Sequence, residues 1–332
     1  MSLKIALVAG GLVKIPPENW GAIENIIANY DQYLSKLGHC VTIFNTPWWG
    51  VTIDQLNNQH FDFIHCHFDI LALPFNTHLK KSFCITSHYG GWMDYVNKEN
   101  DPTFKYILQD TFNSPANIAL APEIANFYKD KGYKGFLKTL RNAVEVDQFE
   151  FSPQGNNMAI CLGRIQTRKR QHYLAKNLEN KVRIDFIGPF EERFKFELDD
   201  HQTTKYIGNW SKQTVRNSLT KYSSLVLLSE SEAAPLVVLE ALAAGLSLVV
   251  SQEAAANLPV KDFITILNSE QIMQPQILAE AIQKSIDQNH LYRHDIRDLA
   301  KEYFDYNVVT LEYLQIIEEF RDYSKNSGKL SS

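Results

Sequence analysis

An α/β protein with two doubly wound parallel sheets is what this sequence predicts, on three observations. Apolar runs of strand length alternate with helical patterns from residue 4 to residue 121, and the same alternation restarts after Pro153. A polar stretch at 146–157, holding Pro153 and Gly155, separates the two series. The chain has 332 residues, 45% hydrophobic and 21% charged, a globular composition long enough for two cores. One domain is therefore expected at 1–150 and another at 155–303.

The first strand is 4–9, an apolar run stopped by Gly10-Gly11. Residues 23–37 carry Ile23, Ile26, Ile27, Tyr30, Leu34 and Leu37 at helical spacing, and Gly38 closes the pattern. Further strands fall at 41–45, 62–66, 83–87 and 117–121. In the second series the strands are 158–162, 182–187, 225–228, 248–250 and 263–267, and the helices are 171–178, 212–222, 235–244 and 275–288. The tail, 291–323, reads as two helices broken near Phe304-Asp-Tyr-Asn. The second of these shows an apolar face of Leu311, Leu314, Ile317 and Phe320.

Composition narrows the function. A net charge of −5 argues against bulk nucleic-acid binding. Cys40, Cys66, Cys84 and Cys161 have no zinc spacing and read as reduced thiols of a cytoplasmic protein. The N-terminus enters a strand at once, without a signal-peptide pattern. No apolar run approaches the roughly 18 residues of a membrane span, so the protein is expected to be soluble, with a peripheral contact at the inner face of a membrane left open.

The densest chemistry lies at 224–251, a strand, a turn, a helix and a second strand. Pro235 suits the first turn of that helix and Gly245 its end. Glu232 precedes the helix and Glu240 lies about five residues into it, roughly 7 to 8 Å along the axis. The free amides of the first turn lie between the two acids and attract phosphate, while flanking carboxylates accept from hydroxyls. The neighbours of Glu240, from Val237 to Leu239 and from Ala241 to Ala243, leave almost no polar face to expose it on. A carboxylate held there needs a donor, so a ligand role outweighs that of an ordinary exposed glutamate.

A second cluster opens the second series. A strand ends in Gly163-Arg164, followed by a turn bearing Arg168, Lys169 and Arg170. These cations stand at the carboxyl edge of the strand, where ligands bind in open α/β sheets. A solvated charge run and a phosphate site are both open for them.

Taken together, these pieces resemble the GT-B-fold glycosyltransferases, specifically the retaining enzymes of glycosyltransferase family 4. The resemblance rests on a Glu-x7-Glu signature at Glu232 and Glu240 and a Gly-Arg-x4-Lys pattern at Gly163, Arg164 and Lys169. Weaker echoes are Gly21 to Glu24, Ser87 to Gly90, and Asn142 to Phe149. It implies two facing Rossmann-like domains with a cleft between them, the first completed by the last helix at 307–323. It further implies that Arg164 and Lys169 grip the donor diphosphate and Glu240 the ribose, and that the amides of Leu236 and Val237 finish the cradle. Glu232 would act on the transferred sugar, and His88 on the sugar or acceptor side. Gly163, Gly11, Gly21 and Asn142 would complete the donor site. His65 and His67 sit in a place comparable to that of His88, but Gly90-Gly91 favours His88 by allowing close approach of the loop.

The chain departs from the family pattern at several positions. Pro235, Ala22 and Arg170 stand where glycine is usual, Ala143 replaces a glycine, and Ser247 stands where proline is common. The expected function is a retaining, hexosyltransferase-like enzyme of polysaccharide biosynthesis. It would move a sugar from a UDP- or GDP-linked donor to a glycan, lipid-linked or small-molecule acceptor. No cofactor or metal is expected, and no Asp-x-Asp triplet occurs. The rival reading is a non-catalytic nucleotide-sugar-binding subunit of a glycan-assembly complex. A dinucleotide oxidoreductase is disfavoured, because Gly10-Gly11 does not open a GxGxxG turn.

Overall fold

The computed structural model describes residues 2–18, 21–89, 102–178, 180–189 and 203–326, with the side chains of 102–105 left aside. By contact the chain divides into two units, Met1–Asn142 with Tyr306–Ser332, and Ala143–Asp305. Each is built on a six-stranded parallel sheet among the described residues.

In the first unit the strands are β1 Lys4–Ala9, β2 Cys40–Asn45, β3 Phe63–Cys66, β4 Cys84–Ile85, β5 Ala116–Ala119 and β6 Phe136–Thr139. They lie in the order β2-β1-β3-β4-β5-β6. The chain leaves β1 for one side and returns to place β3 on the other, so the carboxyl ends of β1 and β3 form the switch point at which crevices open. The helices are α1 Ala22–Lys36, α2 Trp49–Asn58, α3 Ala72–His78, α4 Pro102–Phe112 and α5 Pro122–Asp130. In α1, Ile26, Ile27, Tyr30 and Leu34 are buried, Glu24 complements the first turn, and Gly38 ends the helix at φ +84°.

The second unit contains β7 Ala159–Leu162, β8 Ile184–Ile187, β9 Thr204–Gly208, β10 Ser224–Leu227, β11 Ser247–Ser251 and β12 Ile264–Leu267. Their order, β12-β11-β10-β7-β8-β9, puts the switch point between β7 and β10. Alternate side chains divide between two cores: Ile160, Leu162, Leu225 and Leu227 on one face, Cys161, Phe186, Val226 and Leu228 on the other. Burial on both faces explains the near-continuous apolar strands. The helices are α6 Gln171–Leu178, α7 Lys212–Ser218, α8 Leu236–Ala243, α9 Ser269–Ile272 and α10 Pro275–Leu299.

Three features differ from the sequence expectation. First, α10 continues to Leu299 and through a π-turn at Ala300–Phe304, whereas apolar spacing ended it at 288. Second, the polar stretch 146–157 is not a free linker. Arg293 donates to the Ser152 carbonyl and Arg297 to the Phe149 carbonyl, both within the second unit. Third, the last helix, α11 Tyr306–Asn326, buries Val309, Tyr313, Ile316, Ile317 and Phe320, while Leu311 is 58% exposed. Aromatic packing chose that face: Phe320 meets Phe63 and Phe136 edge-on at 5.2 and 5.6 Å. Cys66, Cys84 and Cys161 are buried thiols, but Cys40 is exposed. No helix of the described residues is long and apolar enough to cross a membrane.

Candidate functional site

At the switch point of the second unit, three strands end in glycines with positive φ: Gly163 after β7, Gly188 after β8 and Gly208 closing β9. A Cβ on Gly188 would stand 2.2 Å from the Gly163 carbonyl oxygen, so this edge closes only with glycine. Ile165 N–H donates to the Pro189 carbonyl, and the fully buried Gln171 side chain clamps the following loop. Its amide nitrogen donates to the Arg164 carbonyl and its oxygen accepts from Gln166 N–H.

The loop brings two cations to the turn after β10. Lys169 Nζ lies 3.3 Å from Glu232 Oε1, and Arg168 Nη1 donates to the same oxygen at 3.2 Å and to the Ser231 carbonyl at 2.6 Å. Ser229 Oγ donates to it as well, at 2.8 Å. The backbone adds Glu230 N–H to the Arg168 carbonyl. The structure thus joins Gly163, Lys169 and Glu232, since the Lys169 ammonium also sits 3.3 Å from where a Gly163 Cβ would be. The sequence flagged Arg168 only as a turn cation and did not flag Ser229. The Ser-x-x-Glu spacing from Ser229 to Glu232 was the available signal.

Arg170 occupies the left-handed region at φ 55°, which explains why glycine suits this position. Its side chain is turned to the Leu228 carbonyl and to Glu230. The Arg164 side chain is exposed and has no hydrogen bond or ion pair among the described residues.

Helix α8 begins beside this turn. Pro235 is its N-cap, in extended conformation and without a capping side chain, so the amides of Leu236 and Val237 open the helix uncapped. Glu240 is half-buried, and its carboxylate makes no hydrogen bond among the described residues. Burial raises its pKa, and Lys212 and Arg216 of α7 oppose that rise. Arg216 is itself ion-paired with Glu145. Lys212, Arg216 and Glu145 had not been singled out from the sequence. Lys212 and Arg216 are the charges that keep an acid tolerable on an otherwise apolar helix, and Glu145 holds Arg216 in place.

Four predicted residues belong to the first unit. Gly11 has φ +71°, and a Cβ there would fall 2.1 Å from the Thr46 backbone, so the chain's own packing already requires glycine. Gly21 caps α1 and is crowded by Pro17. Asn142 is buried at the end of the unit. His88 Nε2 lies 3.1 Å from His67 Nδ1. Gly90 and Gly91, invoked in favour of His88, lie outside the described residues.

The other two histidines differ in role. Thr86 Oγ1 donates to the Ile118 carbonyl, so it accepts from His65 Nε2, and His65 Nδ1 accepts from the Tyr313 hydroxyl at 2.7 Å. That satisfies His65 as a packing residue. His67 Nε2 is buried without a partner among the described residues. Burial lowers all three: His65 to about 3, His88 to about 4, and His67 well below its usual range. Asp69, absent from the sequence reading though placed just past the carboxyl end of β3, is pushed by burial up to about 7, with Ser87 donating to it at 3.0 Å.

Residues 143–303 match the family model described as Glycosyl transferases group 1. No curated protein matches the chain. Among solved structures, sucrose-phosphate synthase from Thermosynechococcus elongatus is similar with a TM-score of 0.76 and 13% identity, covering 97% of this chain and 100% of that one. Anabaena HepE in complex with UDP and glucose gives 0.73 and 12%, covering 96% and 100%. The lipopolysaccharide outer core galactosyltransferase WaaB, in its apo form, gives 0.70 and 16%, covering 96% and 99%. At these identities the likeness concerns the fold.

Proposed function

We propose, from the premise that this is a GT-B-fold glycosyltransferase whose residues 143–303 belong to the glycosyl transferases group 1 family, that it is a retaining enzyme using a UDP-linked hexose. The observation that carries this reading is the junction of Lys169, Arg168 and Glu232 at the β7/β10 switch point, next to the uncapped start of α8. Two cations and two free amides suit a diphosphate. Similar structures hold UDP or UDP-glucose, which favours uracil over guanine.

In this reading Glu240 accepts from the ribose hydroxyls, and Lys169, Arg164 and the Leu236 and Val237 amides stabilise the charge that develops on the leaving diphosphate, the task otherwise given to a metal. Glu232 Oε1 already collects three donors, which makes it a poor nucleophile and a good fixed charge beside the sugar. Departure and attack then occur on one face. The C1–O bond to the diphosphate breaks, the acceptor oxygen bonds to C1, and the acceptor proton passes to a diphosphate oxygen. Asn142, Gly11, Gly21 and His88 complete the reading from the first unit. No observation favours the non-catalytic rival.

The test is titration with UDP, GDP and uridine, followed by release of UDP from a panel of UDP-hexoses. Glu240→Gln should weaken UDP binding but leave a 2′,3′-dideoxy analogue almost unaffected. Equal loss for both ligands would remove Glu240 from the ribose.

A further inference from the structure

The first unit holds a cavity of about 260 Å³ whose lining includes the residues that follow β3. For scale, an apolar cavity of about 150 Å³ takes one benzene. Its polar corner is His67, Asp69, Ser87 and His88, and its wall includes Ile23, Ile70, Ile107 and Leu108. The two halves make different demands on an occupant. In the corner, Asp69 Oδ1 and His67 Nε2 are buried without partners among the described residues, although Asp69 already accepts from Ser87. Buried polar atoms left unpaired are costly and call for a hydroxyl or an equivalent. Along the wall, four aliphatic side chains offer nothing to a hydroxyl, and a sugar ring laid there would lose its hydrogen bonds to water without replacement.

We propose that this cavity takes an acceptor whose hydroxyl-bearing end is joined to an apolar body, an alkyl or aryl glycoside rather than a bare glycan. The proposal rests on the glycosyltransferase reading above. The hydroxyl-bearing end sits at Asp69 and His67, and the apolar body covers Ile70, Ile107 and Leu108. Asp69, with a pKa pushed up to about 7, accepts from the hydroxyl when ionised and donates when protonated, so it serves as a positioning group on both sides of neutrality.

The experiment is calorimetric titration of the full chain with hexyl β-D-glucopyranoside and methyl β-D-glucopyranoside. Each added methylene that becomes buried contributes to affinity, so the hexyl compound should bind at least about tenfold tighter. Leu108→Ser should shrink that ratio below about threefold, whereas Asp69→Asn should weaken both ligands and preserve it. If Leu108→Ser lowers the melting temperature, Ile70→Ser replaces it, because Ile70 is 59% exposed and contributes little to the core. Equal binding of the two glycosides, binding of neither, or a ratio that survives Ile70→Ser overturns the proposal. A tenfold ratio in a chain that consumes no nucleotide sugar supports the cavity and overturns the preceding reading instead.

Discussion

At the scale of single residues, Lys169 and Arg164 carry like charges in different settings, and this separates their expected effects. Lys169 is ion-paired with Glu232 and largely buried, while the Arg164 side chain is exposed and unpartnered among the described residues. Each alanine substitution should cost UDP about 1 to 3 kcal/mol of binding and cost uridine little. Both substitutions should lower kcat, because each removes a charge that stabilises the leaving diphosphate, and Lys169→Ala should lower it further, because it also releases Glu232 from one of its three donors. Equal losses for UDP and uridine would assign both residues to the fold. The buried histidines give a second expectation, with a definite sign. His65 and His88 titrate at about 3 and 4 in the native state and His67 well below its ordinary 6.5, so unfolding near pH 5 takes up three protons. Asp69 opposes this, holding in the native state, up to about 7, a proton that its ordinary value of 3.8 would release. Among these four groups, three against one leaves the unfolded state ahead by about two protons, so the stability they contribute above pH 6.5 is lost as pH falls toward about 4. Urea midpoints should therefore drop between about pH 7.5 and pH 5, and His67→Phe should flatten the dependence; a constant midpoint would contradict the assignment.

At the scale of elements, what could be read from the sequence follows from how each element is buried. Strands β7, β10 and β11 are covered on both faces and announce themselves as apolar runs. The edge strands β6 and β9 are half-exposed and mixed in polarity, and they passed unread. Helix α10 was cut short because two of its inward positions are polar. Asn289 donates to the Gly245 carbonyl, and Arg293, 1% exposed, donates to the carbonyls of Ser152, Thr220 and Tyr222. Hydrogen-bonded polar residues are invisible to a hydrophobic pattern. The candidate site was legible as chemistry but not as assembly, since Arg168 and Glu232 are far apart in sequence and only the β7/β10 adjacency joins them. Arg293 also yields a prediction. Burial brings it down to about 10, so it stays charged at neutral pH, solvated by carbonyls instead of a carboxylate. Arg293→Met should cost about 3 to 5 kcal/mol, because it leaves buried carbonyls without donors at about 1 to 3 kcal/mol each, and Arg293→Lys should recover only part. A denaturation midpoint unchanged in Arg293→Met would mean that those carbonyls find other donors.

At the scale of the whole molecule, the last helix belongs to the first unit although it follows the second in sequence, and the consequence is asymmetric. Helix α11 supplies Tyr313 to His65, Phe320 to Phe63 and Phe136, and a paired Glu312 to Arg141 at 2.7 and 2.8 Å. A chain ending at Asp305 therefore exposes the face of the first sheet that these side chains cover, and it leaves the second unit's own two cores complete. Calorimetry of that chain should show the first unit's transition lost or shifted far down, and the second unit's transition kept, as expected for domains that do not unfold as one two-state system. Arg164, Lys169, Glu232 and Glu240 all lie in the second unit, so UDP affinity should remain within about tenfold of the full chain, by the roughly 1.4 kcal/mol that one lost contact represents. Sugar transfer should vanish with His88 and Asp69. If UDP binding is lost along with the first transition while the second persists, the donor is not held by the second unit alone, and the roles given to its two glutamates must be reassigned.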